Sequence, residues 1–347
     1  MSLAASAAPE AARPRVGVMG AGAIGCYVGG RLAAHGVPVV LVGRPSLAAE
    51  VAAHGLHLSD YRGWRADPSV ALASDVAALA DCDVVLVTVK SADTAAAGAS
   101  LAPVLRAGAV VVSFQNGVSN ADALRAALPG REVIQGMVPF NVLREDGARF
   151  HQGTSGKLAL QSAAAVAPLV AALVAAGLPT SAHADMVGVA WGKLLMNLNN
   201  AVNALAGVPI KAMIAQRGYR RIMAACLREG LAALAAARIR PVLPIAAPAR
   251  LVPMILGAPD FLFRVIARPM IAVDPHARSS MWDDLTRGRT TEIDVLNGEV
   301  VRLAARVGTA APVNAAIVAL VKAAEGHGSP SLSAADLAAR LGLARGA

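Results

Sequence analysis

Short apolar runs alternate with helix-like stretches through the first half of the chain. Each run has the length of a strand and contains Val, and the stretches between the runs are rich in Ala and Leu. The runs cover residues 15–19, 37–42, 84–89, 109–113 and 133–137. This alternation is typical of a parallel sheet with helices packed on its faces. We therefore predict an α/β fold with a doubly wound, mainly parallel sheet in this half.

Two segments that follow have different patterns. Residues 142–144 and 148–151 flank Asp146-Gly147, a pair that favours a β-hairpin. The span 158–184 contains no Lys, Arg, Asp or Glu and is long enough for a membrane helix. Because it is rich in Ala, Gly, Ser and Pro, we expect an amphipathic surface or core helix there and no membrane association.

The strand-like runs stop after about Asp185. The rest of the sequence has the hydrophobic periodicity of helices, with prolines between the helical segments. We therefore predict an all-helical domain over residues 185–347, after an α/β domain over residues 15–184. Residues 1–14 are Ala-rich and are predicted to form a flexible leader. We expect the active site in the cleft between the two domains.

The first apolar run leads directly into Gly20-Ala-Gly22-Ala23-Ile24-Gly25, and helix-compatible residues follow. In such a motif the first glycine permits a tight turn, the second lets backbone N–H groups approach a pyrophosphate, and the third lets helix and strand pack closely. The N–H groups at the start of the helix then face the phosphates. We predict a Rossmann domain in which these residues bind a dinucleotide.

The end of the second run indicates which dinucleotide. An NAD site usually has Asp or Glu there, about 20 residues past the glycines, to bind the ribose 2′-hydroxyl. Here the chain reads Gly43-Arg44, and a guanidinium can pair with a 2′-phosphate in a bidentate manner. We predict NADPH/NADP⁺ as the cofactor, with Arg44 binding it. The alternative is that Arg44 is a solvated loop residue in an Arg-rich chain.

A net charge of +9 raises the question of nucleic-acid binding. Most basic residues are scattered Arg without interleaved aromatic residues, so we expect a basic soluble surface and no nucleic-acid partner. The three cysteines have no metal-ligand spacing, which favours a reducing, cytoplasmic location and no metal. Residues 1–14 lack the basic start and Leu-rich core of a signal peptide. The sequence leaves the oligomeric state open, with a homodimer as one option.

Polar side chains follow two of the predicted strands. Lys90 comes after the third run, and Asn116-Gly117 comes after the fourth. Ligands of doubly wound sheets bind outside the carboxyl ends of the strands, so Lys90 could reach cofactor phosphate or ribose, and Asn116 could face the nicotinamide end. A surface Lys and an ordinary Asn-Gly turn are an equally good interpretation of these residues alone.

The segment 191–203 is unusual for an apolar helix because it contains one Lys and several Asn residues. Asn is a poor interior helix former, and buried amides need partners or water. Lys193, Asn197 and Asn200 follow the spacing i, i+4 and i+7, so they would share one helix face. A lone Lys on a helix normally faces solvent, whereas a Lys in a row of amides indicates a polar pocket.

A second polar segment lies near the C-terminus, from Ser279-Ser280 to Asp294. Gly288 is expected to end one helix, and Thr291 with Asp294 resembles a capping pair that starts the next. Glu292 would then lie in a first helical turn, where the helix dipole favours a carboxylate.

Together these motifs resemble the 2-dehydropantoate 2-reductase (ketopantoate reductase) family, in order and over nearly the whole chain. They are the glycine loop, Val-Lys90, Gln-Asn116-Gly, Trp-x-Lys193-Leu-x-x-Asn197, Ser279-Ser280-Met-x-x-Asp and Thr-Glu292-Ile-Asp-x-Leu-Asn-Gly298. The resemblance implies NADPH-dependent reduction of 2-dehydropantoate, a 2-oxo acid, to (R)-pantoate in the pathway to pantothenate and coenzyme A.

The resemblance also implies roles for individual residues. Lys193 would be the catalytic acid, with Asn116 and Glu292 as further catalytic residues and Asn116 also contacting the cofactor. The substrate would be bound by Asn197, Ser280 and Glu292, and we predict Asn200 as a further substrate contact.

The chain departs from the family pattern at two places. A second asparagine usually follows Asn197 by four residues, but Ala201 stands there, so Asn200 or Asn203 would have to replace it. The stretch before Ser280 is also longer than in the family, and residues 241–274 within it are apolar and interrupted by Pro, which indicates short helices or a cover, with a role as a lid left open. Two alternatives therefore remain: a reductase of another branched 2-oxo acid, or a nicotinamide-binding regulator without turnover.

Overall fold

The computed structural model describes residues 13–245, 247–266 and 277–343. By its internal packing the chain divides into two compact units. The first runs up to Gln115 and resumes over Asn120–Met186, and the second comprises Asn116–Ser119 and the chain from Val187 onward. The four residues Asn116–Ser119 thus pack with the second unit, which no feature of the sequence indicated. The predicted leader lies outside the described residues except for Arg13 and Pro14.

A mainly parallel sheet forms the centre of the first unit, as predicted. The strands described in this unit are β1 (Val16–Met19), β2 (Val39–Val42), β3 (His57–Asp60), β4 (Arg65–Ala66), β5 (Ala71–Ala73), β6 (Val84–Val87), β7 (Val110–Ser113), β8 (Glu132–Met137), β9 (Val142–Glu145), β10 (Arg149–Gln152), β11 (Leu158–Gln161) and β12 (Thr180–His183). Eight of them form one sheet in the order β12-β11-β8-β7-β6-β1-β2-β5. Neighbours in it run parallel except β8 and β11.

Helices cover this sheet and explain why its strands are apolar at successive positions. The helices of the first unit are α1 (Ala23–Ala34), α2 (Pro45–His54), α3 (Thr94–Leu101), α4 (Asn120–Ala127) and α5 (Ala167–Ala175). In β6, Val84 and Leu86 pack into one core cluster, whereas Val85 and Val87 pack into another. A strand buried on both faces needs an apolar residue at every position, which is the pattern that the sequence shows.

The predicted hairpin is present, but it belongs to a second sheet. Strands β9 and β10 pair antiparallel around Asp146 and Gly147, and the four-stranded sheet has the order β4-β3-β10-β9. Buried Arg31 of α1 connects this sheet to the rest of the unit, because its Nη1 lies 3.2 Å from Asp60 Oδ2 at the end of β3.

The prediction of a helix over residues 158–184 is wrong. This span folds as β11, α5 and β12, of which β11 and β12 pair in parallel at the edge of the large sheet. Pro168 starts the helix in its first turn and Gly177, at φ 73°, terminates it, so the apolar composition is divided among three short elements. Within the described ranges, no helix is long and apolar enough to span a bilayer.

The second unit is helical in its described residues. Its helices are α6 (Met186–Asn197), α7 (Asn199–Ala206), α8 (Ile210–Ala215), α9 (Arg217–Ala236), α10 (Val252–Gly257), α11 (Asp260–Ile266), α12 (Ser280–Thr286), α13 (Asn297–Val307), α14 (Pro312–Ala324) and α15 (Ala334–Arg340). One core cluster that includes Trp191, Leu227 and Leu303 holds them together. The predicted fold class, a Rossmann domain with an all-helical C-terminal domain, is therefore confirmed.

Two local predictions in this unit need correction. The segment 191–203 is not one helix, because α6 ends at Asn197 and α7 begins at Asn199. The helix α12 ends before Gly288, as predicted, but Thr291 and Asp294 do not start a regular helix. Glu292 instead precedes a 3₁₀ turn, and α13 begins only at Asn297.

The segment 241–274 contains α10 and α11 in its described part, and residues 267–274 lie outside the described residues. The side chains on the outer face of α11 are apolar and exposed, with Phe261 and Val265 each 74% accessible. The same helix packs Phe263 into the helical core.

A single buried cation holds these short helices against α9. Arg220 has no solvent exposure, and its guanidinium donates to the carbonyl oxygens of Ile214, Leu256 and Ala258 at 2.9–3.0 Å. It also pairs with Asp260 Oδ1 at 2.8 Å. Because helices of six or seven residues are unstable alone, we infer that Arg220 is a main determinant of how this segment is docked.

We expect Arg220→Met to lower the free energy of unfolding by about 3 kcal/mol, because several buried carbonyl oxygens lose their donors. Urea unfolding followed by tryptophan fluorescence measures this change. Asp260→Asn is the matched control: its side chain is half exposed, so water replaces the lost ion pair and a much smaller loss is expected. Equal stability of Arg220→Met and the wild-type protein would contradict the anchoring role.

Candidate active site

The glycine loop between β1 and α1 has the geometry that the motif predicts. Gly20 adopts φ +104°, and a Cβ on it would lie 2.6 Å from the Val89 nitrogen. A Cβ on Gly25 would lie 2.4 Å from the Gly20 oxygen. Both positions therefore require glycine, the first for its backbone conformation and the second for the close approach of helix and loop.

Gly22 is constrained in the opposite way. A Cβ there would meet only the Gly20 oxygen, at 4.0 Å, among the described residues. The space beside it is therefore open, which suits the approach of a pyrophosphate to the backbone. Gly22 is the N-cap of α1, and Ala23 and Ile24 form its first turn, so helix N–H groups point toward this space. The loop fits a dinucleotide.

Thr88, which the sequence patterns did not single out, holds this loop from the neighbouring strand. Its Oγ1 donates to the Gly20 oxygen at 2.6 Å, just past the end of β6. The signal that could have identified it is a hydroxyl residue at the carboxyl end of a strand adjacent to the glycine loop.

The end of β2 lies directly against the glycine loop. The N–H groups of Gly20 and Ala21 both donate to the Val42 oxygen, at 3.0 and 2.8 Å. Arg44 follows two residues later as the exposed N-cap of α2, and exposed Lys90 follows β6 in the same way. The structure thus places both cations just beyond strand ends that border the loop.

The second unit brings together Asn116 and Glu292, which are far apart in sequence. Asn116 Nδ2 donates to Glu292 Oε2 at 2.9 Å, and both residues are partly buried. Neither residue lies in a regular helix or strand, since Asn116 follows β7 and Glu292 precedes a 3₁₀ turn. The amide thus gives the carboxylate a charge-assisted hydrogen bond within the second unit.

Lys193 lies on α6 and has a perturbed proton affinity. Desolvation lowers the pKa of its ammonium from the ordinary value of 10.5 to about 8, although the negative charge of Glu292 acts in the opposite direction. A pKa near the working pH is what a general acid needs. Lys193, Glu292 and Asn116 therefore form one electrostatically coupled group within the second unit.

The asparagines of the predicted amide row have different surroundings, and one of them is bound within the fold. Asn197 is partly buried and lies one turn from Lys193 on α6, whereas Asn200 follows the break between α6 and α7. Asn203 is fully buried, donates to the Val208 oxygen at 2.7 Å and accepts from the Ser279 nitrogen at 3.0 Å. Its amide is thus committed to the fold and does not replace the asparagine missing at Ala201.

The two serines of the Ser-Ser pair have different positions. Ser279 is buried as the N-cap of α12, where its Oγ accepts from the Trp282 nitrogen and donates to the Asn200 oxygen. Ser280 begins the helix and is exposed. Of the two, Ser280 is the one whose hydroxyl is accessible to a ligand.

The backbone beside Glu292 is held by Glu325, which the sequence patterns did not single out either. The nitrogen and the hydroxyl of Thr291 both donate to Glu325 Oε1, each at 2.8 Å. Thr291 therefore serves as a link to Glu325, at the end of α14, instead of capping a helix. In the part of the chain that the structure covers, no group of three or more His, Cys, Asp or Glu could hold a metal ion.

Two family models match the chain over most of its length. The model described as Ketopantoate reductase PanE/ApbA matches residues 16–165, and the one described as Ketopantoate reductase PanE/ApbA C terminal matches residues 185–325. A 2-dehydropantoate 2-reductase of Halobacterium salinarum is 31% identical over 321 residues, covering 90% of this chain and 100% of the relative.

Solved structures show the same likeness. The PanE/ApbA family ketopantoate reductase from Ralstonia eutropha JMP134 has a TM-score of 0.78 and 33% identity, covering 89% of this chain and 98% of that chain. A D-mandelate dehydrogenase solved with NADH and anilino(oxo)acetate shares the fold, with a TM-score of 0.74, 20% identity and coverage of 89% and 98%. The two family models and the 31% identical relative establish that this chain belongs to the ketopantoate reductase family of oxidoreductases.

Proposed function

We propose that the protein reduces 2-dehydropantoate to (R)-pantoate with NADPH. The observation that carries this proposal is the coupled group of Lys193, Glu292 and Asn116, in which a desolvated ammonium lies under the influence of a carboxylate. Such a group suits the transfer of one proton to an oxygen that gains negative charge. The glycine loop of the first unit supports a dinucleotide partner, and the family supports a nicotinamide.

NADPH, when bound, supplies the hydride that adds to the carbonyl carbon of the 2-oxo acid. The electron pair of the C=O bond moves to the oxygen, where the Lys193 ammonium stabilises the developing alkoxide and donates a proton from Nζ. The neutral amine is then reprotonated from solvent. Glu292 favours the charged form of Lys193 between turnovers, and Asn116 orients the Glu292 carboxylate.

Glu292 also carries the proposal for the substrate. A carboxylate repels the carboxylate of a 2-oxo acid, so Glu292 should accept a hydrogen bond from a hydroxyl elsewhere in the molecule. 2-Dehydropantoate has such a hydroxyl. We assign Asn197, Asn200 and Ser280 as further polar contacts to the substrate, on the basis of the family motifs and their accessibility.

A second candidate is reduction of a different branched or bulky 2-oxo acid. It is favoured by Ala201, which is fully buried, and by the commitment of the Asn203 amide to the fold. With one amide fewer, the site would offer less polar recognition to the substrate. The D-mandelate dehydrogenase with the same fold makes an aromatic 2-oxo acid a sensible member of a test panel.

The decisive experiment measures NADPH oxidation against a panel of 2-oxo acids. The panel comprises 2-dehydropantoate, its hydroxyl-free analogues 2-oxo-3-methylbutanoate and 2-oxo-3,3-dimethylbutanoate, and phenylglyoxylate. The proposal expects the highest kcat/KM for 2-dehydropantoate, because a site built around a hydroxyl discriminates strongly against analogues without it. A preference for a hydroxyl-free acid favours the second candidate, and NADPH binding without any turnover favours a regulator.

Arg44→Ala should weaken NADPH binding and leave NADH binding nearly unchanged. The guanidinium is proposed to pair with the 2′-phosphate, and a hydrogen bond to a charged group is worth roughly 1.5–3 kcal/mol. Fluorescence titration of both cofactors measures the difference. Arg65→Ala removes an exposed Arg of the same unit and serves as the control for charge alone. Equal losses for both cofactors would exclude Arg44 as the residue that selects NADPH.

Lys193→Ala should lower kcat by roughly 10²–10⁴-fold while NADPH still binds, because the proton donor is lost. In the wild-type protein the rate of reduction should fall as the pH rises through about 8, where the Lys193 ammonium loses its proton. Lys211→Ala, on the exposed surface of α8, is the control. An unchanged kcat would remove Lys193 from the mechanism.

Glu292→Gln should move the alkaline limb of the pH–rate profile to lower pH. The negative charge of Glu292 raises the pKa of Lys193, so its neutralisation lowers that pKa below the present value of about 8. Measurement of kcat from pH 6 to 10 in both proteins gives the shift. A limb that stays in place, or moves to higher pH, shows that another group controls it.

A further inference from the structure

The helix α13 carries a charged pair outside the group that we assign to catalysis. Glu299 and Arg302 are three residues apart on this helix, and Arg302 Nη2 lies 2.9 Å from Glu299 Oε1. The Glu299 side chain is only 10% exposed, whereas that of Arg302 is 52% exposed. A carboxylate this deeply buried needs strong partners, so the groups it binds are held firmly.

Glu299 binds the segment that contains Asn116. The Ser119 hydroxyl donates to Glu299 Oε1 at 2.6 Å, three residues after Asn116. Val118, between them in sequence, packs against the core cluster of the second unit. These two contacts explain why Asn116–Ser119 belongs to the second unit although its neighbours on both sides belong to the first.

Arg302 binds the segment that contains Glu292. Its Nη2 also donates to the backbone oxygen of Asp294, two residues after Glu292, in the 3₁₀ turn. One end of the charged pair therefore holds the Asn116 side of the Asn116–Glu292 hydrogen bond, and the other end holds the Glu292 side. The spacing of three residues on one helix fixes the distance between the two ends.

We propose that Glu299 and Arg302 are positioning residues that set Asn116 and Glu292 relative to each other, through the Ser119 hydroxyl and the Asp294 carbonyl. Neither residue touches the reacting groups in this proposal. Its kinetic consequence rests on the proposed function, because it requires that Asn116 and Glu292 act in the reduction. Its structural consequence, ordering of the two segments, does not.

The test compares five variants and one control variant with the wild-type protein. Glu299→Ala removes the contacts of Glu299 with Ser119 and Arg302, whereas Glu299→Gln keeps an acceptor for Ser119. Arg302→Ala removes the hydrogen bond to the Asp294 oxygen. Ser119→Ala removes the hydrogen bond to Glu299 by changing an exposed side chain and leaves the core unchanged. The double variant Ser119→Ala with Glu299→Ala tests whether the two residues act together. Asp122→Asn on α4 is the matched control, since Asp122 also forms an i,i+3 pair with Arg, but in the first unit.

Two measurements are made on every protein: steady-state kinetics, and hydrogen–deuterium exchange of residues 116–119 and 292–295. We expect Glu299→Ala to lower kcat by about 10–100-fold, as a small misplacement of reacting groups does. The KM for NADPH should change less than kcat, since the glycine loop lies in the first unit. Exchange should become faster in both segments, and Glu299→Gln should recover most of the rate.

The Ser119→Ala substitution should also lower kcat and should add nothing to Glu299→Ala, because Glu299→Ala already removes the hydrogen bond of Ser119. Arg302→Ala should accelerate exchange mainly in residues 292–295. If Glu299→Ala itself does not fold, Ser119→Ala and Arg302→Ala, which alter exposed side chains, still decide the question.

The outcomes separate this proposal from the proposed function. If the wild-type protein reduces no acid of the panel, the proposed function fails, and the exchange rates alone support or overturn the anchoring by Glu299 and Arg302. If reduction occurs, a fall in kcat without faster exchange, or faster exchange with kcat intact, overturns the positioning role. Multiplicative losses in the double variant also overturn it, as does an equal loss in Asp122→Asn.

Discussion

The hydrogen bond between Asn116 and Glu292 is the interaction on which the candidate active site depends. It joins residues 176 positions apart in the chain, and neither of them lies in a helix or strand that would fix it locally. The carboxylate that Asn116 binds is also the one that raises the pKa of Lys193, against the lowering caused by desolvation. The proton affinity of Lys193 is therefore coupled to how well a loop residue is held, and the contacts of Thr291 and Ser119 with buried or half-buried carboxylates serve that purpose.

The fold could be predicted largely from the sequence because local patterns determine it. Strands such as β6 are buried on both faces, so their apolar runs are continuous, and the local pair Asp146-Gly147 marks the turn of its hairpin. The prediction was wrong for residues 158–184, where composition hides the boundaries. Small and apolar residues continue through β11, α5 and β12 there, and Pro168, Gly177 and Pro179 are the main signs of where one element ends and the next begins.

In the candidate site, too, local features could be predicted and contacts between residues distant in sequence could not. The glycine loop could be predicted because its turn, its open position at Gly22 and its close contact at Gly25 all lie within six consecutive residues. Thr88 and Glu325 escaped notice because each acts on a residue distant in sequence, and a single sequence contains no record of such pairs. For the same reason, Asn203 could be weighed as a substrate ligand until the structure showed its amide bound to the chain itself.

The reaction type is better supported than the substrate for a physical reason. Proton transfer requires one group with a suitable pKa. Burial and the charge of Glu292 bring the pKa of Lys193 to about 8, so groups of the protein itself set this property. Substrate choice is a difference between affinities, and it depends on polar groups that are satisfied by one molecule and left unpaired by another. If the family's second asparagine recognises the substrate, Ala201 removes such a group and leaves the proposed proton donor, Lys193, in place. Under the proposed function, a chain with these residues can keep the reduction of a 2-oxo acid while the preferred acid changes, and Glu292 is then the proposed determinant of whether a hydroxyl is required.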